Sequence, residues 1–247
     1  MSQETQEHVR QMARWQVKSG FWTLTDLIDR AADAIDCEED MSPVQAKRIA
    51  RQIVIPLWEE QLTTQQSWAQ EQTIAEKLER AFESLQRNHG IITRMNFACC
   101  RTCGVSEIGE DRDDEDETVG FAFFHEQTTE GFVEYPGSNI MVYYGTFPRS
   151  KVKAADVAGT VVRVLRRGRL SVEWNGETSR AIEVKCEEWR KRLMVQEGDS
   201  EEDDSDYDSE DEAEEDSEAE AEIAAGDEIE LCDEELAGLV QEDSQTS

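Results

Sequence analysis

Three of the six cysteines fall within five residues, at Cys99, Cys100 and Cys103. A histidine, His125, follows in the next apolar stretch and is trailed by Glu126 and Glu130. Thiols, an imidazole and carboxylates are donors for a soft metal ion, and equally the parts of a thiol nucleophile site. In the metal reading, Cys100-x-x-Cys103 has ligand spacing, Cys99 adds a neighbouring thiol and His125 is the candidate fourth ligand. The ion suited to such donors is zinc. Strong zinc motifs usually carry two cysteine pairs, and here Cys37, Cys186 and Cys232 stand alone. In a redox reading, Cys100 and Cys103 form a pair where a strand turns into a helix. In a third, Cys99 or Cys100 attacks, His125 is the base, and Glu126 or Glu130 orients it. The structural alternative is that the cysteines are small apolar residues packed at a strand end.

Positioning these groups falls to two stretches of different pattern. Residues 1–90 read as a helical N-terminal region. Leu24, Leu27, Ile28, Ala31 and Ile35 recur at helical spacing. Ser42-Pro43-Val44-Gln45 is a helix start, and Pro56 is expected to kink or break that helix. A further helix runs from about Thr73 to a stop at Gly90. Trp15, Trp22, Trp58 and Trp68 are expected in the core or at an interface.

Residues 91–196 read as an α+β region carrying the Cys and His motifs. Strands are expected over Ile91–Cys99, Gly120–His125 and Asn139–Gly145. Cys100 to Ile108 is a loop or short helix, and Glu110–Thr118 an acidic surface loop. Gly131–Glu134 is expected to pair with the second strand or to cap the following turn. A helix spans Val152–Arg167. Two last strands, Leu170–Trp174 and Ala181–Cys186, are expected to join through a tight Asn175-Gly176 hairpin. The fold class is therefore α+β. A helical N-terminal region packs beside a small, mostly antiparallel sheet with one backing helix, and a disordered acidic tail comes last.

That tail, residues 197–247, holds 25 of the 57 acidic residues and no Lys or Arg, within a total charge of −32. It has too little apolar surface to offset the entropy of ordering. Ile229, Leu231, Leu236, Leu239 and Val240 suit a short helix that orders on a partner, so a basic or groove-bearing protein is the expected partner. Such a negative chain repels phosphate backbones, which argues against nucleic acid. The basic cluster Arg163, Arg166, Arg167 and Arg169, joined by Arg190, Lys191 and Arg192, is expected to complement its helix dipole and stay solvated, a nucleic-acid patch or a seat for the chain's own acidic tail being the other readings. The polar, acidic start has no export signal and no apolar run spans a bilayer. A cytoplasmic protein with reduced thiols and no membrane partner is expected.

Taken together, several motifs resemble a bacterial family known only as a domain of unknown function. They are Trp15-x-Val17-x-x-Gly20-Phe21, Leu57-Trp58 with Trp68, Asn96-Phe97-x-Cys99-Cys100-x-x-Cys103-Gly104 with Glu107, and Phe123-Phe124-His125-x-Gln127-x-Thr129-Glu130. Tyr144-Gly145-x-Phe147 and Leu170-x-Val172-x-Trp174-x-Gly176 complete the set. The resemblance covers about residues 10–192 and leaves the tail outside. It implies that the helical lead and the α+β region are one folded unit, and it carries no activity. The reading from residues alone is a non-enzymatic interaction or regulatory domain. Its rival is a zinc-binding or thiol-dependent enzyme using Cys99, Cys100, Cys103 and His125.

Overall fold

The computed structural model describes residues 1–39, 41–68, 72–110, 118–148 and 150–194. The acidic tail and all but the ends of the acidic loop at Glu110–Thr118 lie outside the described residues, as does Cys232.

The helical lead follows its local signals closely. Helix α1 (Gln3–Ser19) starts at Ser2, whose hydroxyl accepts from the Thr5 N–H, and stops at Gly20 in the left-handed conformation. Helix α2 (Leu24–Glu39) and helix α3 (Pro43–Gln66) pack with α1 around Val9, Leu27, Ile35, Val54 and Trp58. Ser42 caps α3 as its sequence predicts, accepting from the Gln45 N–H. Pro56, however, does not end the helix. Losing a helical hydrogen bond there costs about 3 kcal/mol. Ala50, Ile53 and Val54 before it and Trp58 and Gln61 after it are all buried, so packing on both sides outweighs that cost. Helix α4 (Ile74–His89) opens with a reciprocal Thr73–Glu76 capping box and closes at Gly90.

The sheet runs in the order β1-β2-β3-β5-β4, with β1 (Ile91–Arg94), β2 (Gly120–Phe123), β3 (Ile140–Thr146), β4 (Val172–Glu173) and β5 (Ile182–Val184). The β1–β2 pair is parallel, with Arg94 opposite Phe123, and the other three pairs are antiparallel. Alternation sorts the side chains onto two faces. Ile91, Ala122, Phe124, Ile140, Val142, Ile182 and Val184 face a core shared by α4 and α7 (Ala154–Arg167), so α4 joins the expected backing helix. Ile92, Phe121, Phe123 and Phe147 form a smaller cluster on the second face, with Tyr143 and Phe97 packed against it. Helix α5 (Arg101–Glu107) belongs to that side, where Ile108 closes the cluster.

Three expectations are corrected. The first strand ends at Arg94 rather than Cys99, because Asn96 and Ala98 take φ of 52° and 57° and turn the chain out of the ladder. Residues Gly131–Glu134 neither pair with β2 nor cap a turn; they are the end of helix α6 (Glu126–Glu134). The last hairpin is not tight at Asn175-Gly176. Val172 pairs with Val184 and Glu173 with Glu183, which leaves residues 174–181 as the connection. Asn175 still turns the chain locally, its side chain accepting from the Glu177 N–H at 3.0 Å, and Tyr144 Oη donates to the Glu177 carbonyl.

The helical lead and the sheet region meet through aromatic rings. Phe21, in the α1–α2 turn, lies 6.0 Å from Phe124 and stacks on Trp189 at 5.8 Å. Trp189 Nε1 donates to the Ser19 carbonyl at 2.9 Å. The described residues belong to one compact unit.

Candidate functional site

The segment from Met95 to Cys100 leaves β1 and runs beside the start of α6. Phe97 N–H donates to the Phe124 carbonyl at 2.9 Å. Glu126 N–H donates to the Ala98 carbonyl at 3.1 Å, and Gln127 N–H to the Cys99 carbonyl at 3.4 Å. The first N–H groups of a helix have no partner within it. Here the cysteine loop supplies acceptors for two of them. The His125 side chain supplies the next, Nδ1 accepting from Thr128 N–H at 3.2 Å. The two sequence motifs are thus joined through their backbones. Left-handed backbone costs an alanine roughly 1–2 kcal/mol, so the loop holds Ala98 in a conformation its residue type disfavours. Asparagine at 96 tolerates the same region better.

The chain then enters α5 at Cys100, and one turn of helix returns Cys103 towards Cys99 and Cys100. The three sulfur atoms all lie within 4.8 Å of one another. Cys99 is exposed, and Cys100 and Cys103 are half-buried. The thiols are electrostatically unequal. The backbone N–H of Cys103 and then its thiol lie beside the Cys100 sulfur and favour its thiolate, holding the Cys100 thiol below its ordinary value. Cys103, with the Cys99 and Cys100 sulfurs and their developing charge beside it, is pushed up to about 11. Gly104 is what lets α5 lie this close to the sheet. A side-chain carbon there would sit 2.7 Å from Phe123 Cζ, inside the ring edge.

His125 does not join the sulfur group. It is 6 % exposed, and both ring nitrogens face Thr128, with Nε2 3.4 Å from the Thr128 hydroxyl. Burial, and then the charge of Arg101, lower its affinity for a proton. The ring stacks on Tyr143 at 5.1 Å, and the Arg101 guanidinium also lies over Tyr143, 5.1 Å from the ring centre. Glu126 pairs with Arg30 at 2.9 Å instead of orienting the histidine. Glu130 is held above its ordinary value by burial and by Glu134. Among the described residues, no hydrogen bond links His125 to either carboxylate or to a cysteine.

Of the remaining described cysteines, Cys37 is exposed on α2 and Cys186 is buried, its thiol pushed up to about 11. All five described cysteines are free. Arg101 and Tyr143 were not legible as site neighbours. The pairing of Phe123 with Tyr143 across β2 and β3 puts the tyrosine there, and nothing in local spacing announces that register.

Among the described residues, no helix is long and apolar enough to cross a membrane. A family model described as a domain of unknown function (DUF6891) matches residues 2–193. No curated protein and no solved structure shows a match.

Proposed function

We propose that this chain, which belongs to the DUF6891 domain family across residues 2–193, is a metal-binding module whose ligands are Cys99, Cys100 and Cys103. The observation that carries the reading is the mutual approach of three sulfur atoms within 4.8 Å. Thiolates bound to tetrahedral zinc at about 2.3 Å stand about 3.8 Å apart. The three thiols therefore need to close only slightly to occupy three corners. Soft sulfur donors select zinc among abundant divalent ions. The fourth corner falls to water or to a ligand from solution. Bound there, the ion supplies a cross-link between the left-handed loop and α5, which suits a structural or interaction role and equally leaves an open position for chemistry.

Protein purified without added zinc is expected to retain one equivalent. Cys100→Ser should lose it, and Cys37→Ser, outside the cluster, should keep it. Substituted cobalt should show sulfur-to-metal charge-transfer bands. Because metal binding must displace the proton held on Cys103, affinity should rise with pH through neutrality. Absence of metal, together with no charge-transfer band at micromolar cobalt, overturns the reading.

One observation favours a second reading, a thiol-based activity. It is the placing of the Cys-x-x-Cys pair at the start of α5 with its sulfur atoms within 4.8 Å, Cys100 being biased down and Cys103 up. An attacking and a resolving thiol differ in this sense. Metal-free protein would then show one thiol alkylated well ahead of the others at pH 7, identified as Cys100 by mass spectrometry. Uniform, slow alkylation of all three removes this alternative.

A further inference from the structure

We infer a second binding site, independent of the cysteines: a cationic cleft between α4 and the end of α7 that takes a phosphate-class oxyanion. The cleft has a volume of about 240 Å³. Lys77, Arg80 and Ser84, at i, i+3 and i+7 on α4, line one side, and Arg167 lines the other, with Gln72 and His89 at its ends. No carboxylate is among the described residues lining it. Ahead of the tail the chain has 32 acids and 25 bases.

The acids of α4 are engaged elsewhere. Glu76 accepts from the Thr73 N–H, Glu79 pairs with Lys191 and Glu83 with Arg87. Acids and bases of the same helix are therefore sorted, leaving three formal positive charges to converge on one concavity. Like charges gathered this way repel, and a multiply charged anion relieves the repulsion while gaining attraction to each. The Gln72 amide lies against the Arg80 guanidinium, closest to Nη1. Planar guanidinium groups match phosphate oxygens two at a time. The Ser84 hydroxyl supplies a neutral donor of the kind that completes such a shell. In the basic cluster read from sequence as solvated, Arg166 and Arg167 are both exposed. Arg166 turns to the Val172 carbonyl at 3.1 Å, while Arg167 lines the cleft.

The test is calorimetric titration of the full chain with inorganic phosphate and, separately, phenyl phosphate. Saturable one-to-one binding is expected, weakened roughly tenfold or more in an Arg80→Gln/Arg167→Gln double variant. Tighter binding of the ester would identify a phosphorylated small molecule as the source of the anion, and equal binding would identify the free ion. Arg80 and Arg167 are exposed, so thermal melting should confirm that the variant is folded. An Arg14→Gln/Lys18→Gln variant, with the same loss of charge elsewhere, should bind like the parent. No saturable binding up to about 10 mM overturns the site. So does binding unchanged in the first variant, or lost equally in the second.

Discussion

Phe124→Ala will lower the unfolding free energy by about 3–5 kcal/mol, the range for removing a fully buried phenylalanine. The ring is 0 % exposed and meets aromatic rings from four separate segments. Phe21, from the turn after α1, lies at 6.0 Å, Phe82 of α4 at 6.3 Å, Phe132 of α6 at 5.8 Å and Trp189 of the last described segment at 6.4 Å. These neighbours are themselves fixed by separate elements, so they cannot collapse together to fill the space. The residual cavity then adds to the lost burial. The Phe124 carbonyl also accepts from Phe97, so any relaxation here reaches the cysteine loop. Equilibrium urea unfolding of the full chain measures the effect. Phe124→Leu should recover most of the loss, since a volume-conserving apolar exchange costs less than about 1.5 kcal/mol. A loss under about 1 kcal/mol for the alanine variant, well below the usual range, would mean that the helical lead and the sheet region do not share this core. Separation into two transitions would mean the same.

Gly104→Ala should be the second large effect, costing about 1–3 kcal/mol as an overpacking change and doing more harm to the site than to the fold. The added methyl meets the edge of Phe123, a fully buried ring. Phe97, Phe121 and Tyr143 surround that ring at 6.1, 6.0 and 5.9 Å and block its retreat. The short helix α5 is the element free to move. Its displacement carries Cys103 and Arg101 away from Cys99 and Tyr143, so metal affinity should fall more than a Cys37→Ser control shows. Cobalt titration alongside urea unfolding separates the two effects. If Gly104→Ala binds metal like the parent at equal stability, α5 does not depend on this close approach. The cluster would then be held by its loop alone.

Much of the architecture was legible because it is written in local signals. Ser42 at a helix start and Gly90 at a helix end act within one turn of where they stand, so α3 and α4 were readable. Apolar runs announced β2 and β3 for the same reason, since alternation and burial are properties of a few consecutive residues. The family resemblance, too, rested on short motifs and is matched over residues 2–193. Pro56 does not break α3, because its local cost is overruled by the burial of Ile53, Val54 and Trp58.

The site divides along the same line. Sequence by itself determined that three cysteines stand within five residues; that one turn of α5 returns Cys103 to Cys99 and Cys100 was decided by the structure, since the sequence left that stretch as a loop or short helix. Sequence determined as well that the acidic charge is concentrated after residue 197. Only the tertiary structure decided what His125 does. The sheet register sets Tyr143 against its ring, and the start of α6 takes its Nδ1 as a cap. Residue type made it a ligand candidate, but a buried imidazole goes to whichever partner the surrounding elements bring within reach. The cationic cleft follows the same reasoning. Lys77 and Arg80 are close on any helix, whereas Arg167 faces them only because α4 and α7 pack on the same side of one sheet.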